Sequence, residues 1–141
     1  NAPLMDYVKK FSDAANLHFL GRRDDIPKIM ASLDLLVSSS HGEAFPNVLG
    51  EAMACEVPCV VTDAGDSADI VGDTGMVVDV GDMEGLSRDV LTLLGMVKSE
   101  RQSLGLRARK RVQECYEINS IVKQYEAFYL RLVDSENYFV S

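Results

Sequence analysis

The sequence has no tryptophan, only three cysteines and two histidines, and fewer cations than anions. Each shortage removes a class of protein. Cys55, Cys59 and Cys115 form no Cys-x-x-Cys pair and no mixed Cys/His cluster, so neither a zinc site nor a disulfide framework is expected. They read as buried apolar residues. No stretch approaches the roughly 18 uninterrupted apolar residues of a membrane span. Residues Asn1 to Lys10 lack the charged-then-apolar layout of a signal peptide. The expectation is a cytoplasmic chain without stable membrane insertion, compatible with peripheral contact at the inner face of a membrane. The net charge of −8 argues against binding nucleic acid or anionic lipid through the domain as a whole. Any phosphate it holds must be met by local dipoles or a few placed cations.

What is present is apolar substance in short, ordered pieces. With 141 residues, 47% of them apolar, the chain can bury one core, and a single domain is expected. A helical stretch from Leu4 to Ala15 precedes Leu17-His18-Phe19-Leu20, a strand-like run stopped by Gly21. Asp24-Asp25-Ile26-Pro27 opens a helix, with acids where the macrodipole favours them, carrying Ile29, Met30 and Leu33 toward the core. Leu35-Leu36-Val37 reads as a buried strand, Pro46 to about Glu56 as a helix, and Cys59-Val60-Val61 and Met76-Val77-Val78 as further strands. Strands that alternate with helices and are almost continuously apolar belong to a parallel sheet covered on both faces. The class is α/β, a doubly wound, Rossmann-like parallel sheet. From Asp82 onward the pattern is mainly helical, around Leu86 to Leu94, then Glu100 to Cys115, then Asn119 to Val133. In the last of these, Ile121, Tyr125, Phe128 and Leu132 share one face, which predicts core packing. Arg107, Arg109, Lys110 and Arg111 read as a solvated basic face.

The chemistry concentrates in one loop. Ligands of doubly wound sheets bind outside the C-terminal ends of the strands, and Ser38 to Phe45 leads from such an end into a helix. Pro46 suits the first helical turn, where its missing N–H has no intrahelical partner to lose. The amides of Asn47, Val48 and Leu49 are then predicted to face an anion such as a diphosphate. Glu43 precedes this helix start, and Glu51 lies more than one turn inside it, on the side shared by Asn47 and Val48. Either carboxylate has the two acceptors that a vicinal diol requires. The spacing alone fits equally well a capping carboxylate followed by a surface glutamate.

The run Glu43-Ala44-Phe45-Pro46-Asn47-Val48-Leu49-Gly50-Glu51 resembles the Glu-x7-Glu signature of retaining glycosyltransferases of family 4. Leu17 to Gly21 is similar to that family's strand ending in Phe-x-Gly, and Leu33 to Ser39 to its strand before the signature. Pro58-Cys59-Val60-Val61-Thr62-Asp63-Ala64-Gly65 resembles its Pro-Val-Val-x-Thr-Asp-x-Gly, and Gly72 to Val78 its Gly-x-Thr-Gly loop and strand. The resemblance implies the C-terminal, donor-binding domain of a GT-B enzyme over residues 1–141, shortened at its N-terminus. It further implies transfer of a sugar from a nucleotide diphosphate sugar to an acceptor hydroxyl, with retention and without metal or other cofactor. Glu43 would be catalytic and contact the transferred sugar, Ala44, Phe45, Pro46, Asn47 and Val48 would serve sugar and diphosphate, and Glu51 would hold the ribose. Gly21, Arg22 and Arg23 would lie beside the nucleobase, although Arg22 and Arg23 also fit ordinary loop cations. His41 fits the donor loop or plain exposure. The family's diphosphate-binding Arg and Lys have no match here, and its N-terminal acceptor domain is the implied partner, so the fragment alone is expected to be inactive.

Two positions depart from the family pattern. Glu56 stands where many relatives have Gly at the end of the signature helix, and Cys115-Tyr116-Glu117 replaces a common Phe followed by a small or acidic residue. The second departure bears on the docking of the last helix rather than on the donor site. A noncatalytic nucleotide-binding α/β module and another GT-B enzyme, such as a sugar-nucleotide epimerase, are the competing readings. A receiver-type module would need an acidic cluster after its first strand, which is missing.

Overall fold

The computed structural model describes residue 8 and residues 16–136. The helix read from Leu4 to Ala15 lies, apart from Val8, outside the described residues. Three short strands form one parallel sheet in the order β1-β2-β3, with β1 at Leu36–Ser38, β2 at Cys59–Thr62 and β3 at Met76–Val78. All four residues of β2 are buried, because it is the middle strand and both its faces are covered. Alternation then sorts its side chains. Cys59 and Val61 face a core built with Leu49, Met53, Ile70 and Val71, whereas Val60 faces the other side, with Val78, Leu86 and Leu93.

The helices follow the apolar pattern. Helix α1 is Ile26–Met30, α2 is Asn47–Ala54, α3 is Ser67–Val71, α4 is Met83–Gly95, α5 is Lys98–Cys115 and α6 is Ile118–Glu136. Asp82 caps α4 by accepting from the Gly85 amide at 2.8 Å. On the opposite face α5 lies close over the end of α2. Gly105 and Ala108 are buried in that contact, and a side chain at 105 would press into the Glu56 carbonyl.

That carbonyl belongs to a left-handed residue. Glu56 has φ of 64°, and it is the only non-glycine among the described residues with positive φ. Its amide donates to Met53 O and the Val57 amide to Ala52 O, both at 3.0 Å, the pair of bonds that closes a helix in a Schellman turn. The departure from Gly therefore leaves the turn intact and puts its cost into the backbone. Arg109 meets the Glu56 carboxylate at 2.9 Å.

Four readings change. Leu17 to Leu20 is not a strand: it has no ladder partner among the described residues, and Leu17, Phe19 and Leu20 are all exposed. A helix absent from the sequence reading, α3, fills the stretch before Gly72. The stripe on α6 is not packed into this core either. Tyr125 is 59%, Phe128 49% and Leu132 47% exposed, because α6 leaves the body of the domain after Tyr116. In the basic run on α5, Arg107, Arg109 and Lys110 are exposed as read, in surface pairs with Asp73, Glu56 and Glu114, and only Arg111 departs from a solvated face. Arg111 caps α3, donating to Ile70 O at 2.9 Å and Asp69 O at 2.5 Å.

Candidate functional site

The loop after β1 is shaped chiefly by main-chain atoms. Thr62, the last residue of β2, donates its hydroxyl to the Ser40 carbonyl at 2.6 Å. Four residues on, the Asp66 amide donates to the Ala44 carbonyl at 3.0 Å. Between them Gly65 has φ of 56° and lies so close that a Cβ would run into the carbonyl oxygens of Glu43 and Ala44. Only glycine satisfies both the left-handed backbone and the approach. The loops after β1 and β2 are thus fastened together at the C-terminal edge of the sheet.

Glu43 sits on this frame, exposed, and its Oε1 accepts from the Ser40 hydroxyl at 2.8 Å. One donor leaves most of a carboxylate's acceptor capacity open to a ligand. Pro46 is buried and precedes α2 as its N-cap, with ψ of 92°, and no side chain caps the helix. The Leu49 amide is already occupied: it donates to Pro46 O at 3.0 Å, a tight first turn that withdraws it from any anion. Asn47 and Val48 are exposed at the positive end of the helix.

Glu51 follows Asn47 by one turn. The two lie along an open cleft of about 380 Å³ whose walls include Phe45, Ile70, Val112 and Tyr116. Phe45 meets Tyr116 edge to face, with ring centroids 5.7 Å apart. The α5–α6 junction therefore reaches the signature loop, contrary to the expectation that its unusual sequence concerns helix docking alone. Tyr116 also donates its hydroxyl to Asp69 O at 3.1 Å.

Gly21, Arg22 and Arg23 are not among the residues that line this cleft. Arg22 and Arg23 line a separate shallow concavity with Asp24 and Asp25, of about 370 Å³, which shares no residue with it. Arg23 grips Asp25 through Nε at 2.8 Å and Nη2 at 2.7 Å, and that guanidinium holds the Asp25 carboxyl below its ordinary range. His41 is exposed in the loop. A larger concavity, about 720 Å³, is an open groove along the outer face of α4 and includes none of these residues. Among the described residues no three His, Cys, Asp or Glu side chains gather as metal ligands, and no helix is long and apolar enough to cross a membrane.

Sequence reasoning overlooked Thr62, Gly65, Asp66 and Tyr116 as parts of the frame. Thr62 and Gly65 stood in a noticed motif, Thr-Asp-x-Gly, with Asp66 directly after it, and a glycine there was the available signal. Nothing local pairs Tyr116 with a loop 71 positions earlier.

The parallel sheet with helices on both faces and a loop leading into a helix at its C-terminal edge defines a Rossmann-like class of module. The chain matches the family described as glycosyl transferases group 1 over residues 2–96, and it belongs to that family. Across 128 residues, or 89% of this chain, it is 37% identical to the N-acetyl-alpha-D-glucosaminyl L-malate synthase of Bacillus anthracis. It is 32% identical over 70% of its length to the capsular polysaccharide biosynthesis glycosyltransferase CapM of Staphylococcus aureus. The chain spans 33% of the first relative and 26% of the second, about a third or less of either. In fold it resembles the sucrose-phosphate synthase of Thermosynechococcus elongatus, with a TM-score of 0.82 at 23% identity over 95% of this chain and 34% of that one. It also resembles Anabaena HepE, solved in complex with UDP-glucose, with a TM-score of 0.77 at 24% identity over 92% of this chain and 36% of that one. The domain is glycosyltransferase-like and of GT-B fold.

Proposed function

We propose that residues 1–141 form the donor-binding, C-terminal domain of a retaining GT-B glycosyltransferase that moves a sugar from a nucleotide diphosphate sugar to an acceptor hydroxyl. The observation that supports it most is the clamped loop Ser40 to Phe45, which carries an exposed Glu43 and leads through Phe45 into the start of α2, where Asn47 and Glu51 line one cleft. In this reading Glu43 receives hydroxyls of the transferred sugar. The amides of Asn47 and Val48 meet the diphosphate, whose negative charge grows as the glycosidic bond breaks, and pre-placed donors stabilise that charge without reorganising. Glu51 accepts from the ribose diol. Gly21 to Arg23 approach the base only if the donor bridges the gap between the two concavities.

The chemistry is proposed to need no metal, as in the family the signature resembles, so excess EDTA leaves the rate of the intact enzyme unchanged. The acceptor is a hydroxyl of a polysaccharide, lipopolysaccharide or glycolipid, chosen by an N-terminal acceptor domain. The protein is proposed to work in the cytoplasm or at the inner membrane face.

The test is an NMR titration of this chain with two donors and their products: UDP-N-acetylglucosamine and UDP, and GDP-mannose and GDP. N-acetylglucosaminyl and mannosyl groups occur in the names of relatives. Millimolar binding, worth about 4 kcal/mol, with shifts concentrated at residues 43–51 is expected. Binding elsewhere, or none at tens of millimolar, overturns the reading. Glu51→Gln should weaken nucleoside diphosphate binding by about 1.5–3 kcal/mol, the worth of a charge-assisted hydrogen-bond pair.

A further inference from the structure

Three elements distant in sequence meet at one tyrosine. The edge of the Tyr116 ring packs against Phe45, in the loop that ends at α2. Its hydroxyl donates to Asp69 O on α3, whose first residues follow the Gly65-Asp66 clasp on Ala44. Arg111, one turn earlier on α5, fixes the same carbonyl region of α3. Signature loop, β2–α3 clasp and α5–α6 junction thus close a ring of contacts, in which Tyr116 meets the loop ring to ring at Phe45.

Phe45 itself is 46% exposed, so the surrounding core does not fix its ring. An edge-to-face partner restricts an aromatic ring in both position and tilt. The residue so restrained lies two positions after Glu43.

We propose that Tyr116 is a positioning residue for the donor loop: its ring holds Phe45, and through Phe45 the Glu43–Pro46 backbone, while its hydroxyl sets the ring's own place by anchoring it to α3. This deepens the donor-site reading and rests on it for the ligand. The ring is the active part, and the hydroxyl is its tether. The sugar end of the donor, which the loop meets, should therefore depend on Tyr116 more than the nucleotide end does.

Tyr116→Leu and Tyr116→Phe are compared with the wild-type chain by amide hydrogen exchange and by titration with the same two donor and product pairs. Tyr116→Leu should speed exchange at residues 43–47 while leaving Val60 and Val61 protected, and raise the Kd of the nucleotide sugar roughly three- to tenfold. The Kd of the nucleoside diphosphate should change less, and Tyr116→Phe should restore most of both effects. If Tyr116→Leu does not fold, Tyr116→Met, whose unbranched side chain adapts to an irregular gap without a planar ring, takes its place. Unchanged exchange and affinity in a folded variant overturn the inference and leave the donor site standing. Equal loss for both ligands with faster exchange throughout also overturns it, as a purely structural role. If the wild-type chain binds neither pair, the donor reading fails, and faster exchange confined to residues 43–47 alone decides whether Tyr116 positions the loop.

Discussion

Glu56 carries a conformation that its side chain opposes. A left-handed residue with a Cβ costs about 1–2 kcal/mol, and the Arg109 pair offsets little of that, because both partners are nearly half exposed. Glu56→Gly is therefore expected to raise the unfolding free energy by about 0.5–1 kcal/mol, measured by urea denaturation. Gly105→Ala should do the reverse, by about 1–3 kcal/mol, since its methyl group would press into the Glu56 carbonyl. Cys59 offers a pH signature. Burial pushes its thiol up to about 12 from an ordinary 9.0, so the folded state holds a proton that the unfolded state releases. Its contribution to stability is whole below about pH 9 and falls as pH rises toward 12, by about 1.4 kcal/mol per unit. Cys59→Val should show a shallower decline in urea midpoint between pH 9 and 11 than the wild type.

Helices were easier to read than their surroundings. The apolar spacing of Leu86, Val90 and Leu93 gives α4 away locally, and the structure has it and α5 within a few residues of their expected bounds. Periodicity does not say what covers a face, however. On α6 the same spacing that buries Leu86 and Leu93 leaves Tyr125 and Phe128 in solvent. Leu17 to Leu20 fails for a related reason: a strand is a property of a pair, and the run finds no partner among the described residues. The basic run on α5 is surface as read at Arg107, Arg109 and Lys110, but one of its charges proves tied to a neighbouring element. Arg111 is that case, for its two nitrogens serve two carbonyls of α3 at once. Arg111→Lys should lose about 1–3 kcal/mol and Arg111→Met about as much, because a single ammonium cannot reproduce the fork. Thermal melts of the two variants check this.

Across the molecule, the parallel sheet and the edge at which the signature loop lies were legible because both follow from rules of chain order. Alternating strands and helices imply a parallel sheet, and a parallel sheet puts its loops at one edge, where Glu43 and the start of α2 lie. The clasp was less legible, since Gly65 meets Glu43 only through folding. The proposed division of labour between the two acids belongs to the intact enzyme. Glu43→Ala should lower kcat with the nucleotide sugar while hardly changing inhibition by free nucleoside diphosphate, whereas Glu51→Ala should weaken both ligands alike. Steady-state kinetics with product as competitive inhibitor measure it. Equal weakening of the free nucleotide by the two variants would show the assignment to be wrong.

The clasp at Gly65 separates two kinds of information. Its hold on the loop runs through the carbonyls of Ser40, Glu43 and Ala44, atoms that every amino acid supplies. Side chains at His41 and Ala44 are exposed and bear none of that hold. The loop can therefore exchange residues at those two positions and keep its path. A lineage, or an engineer, can vary the chemistry this loop shows to solvent without redrawing the ground on which it stands.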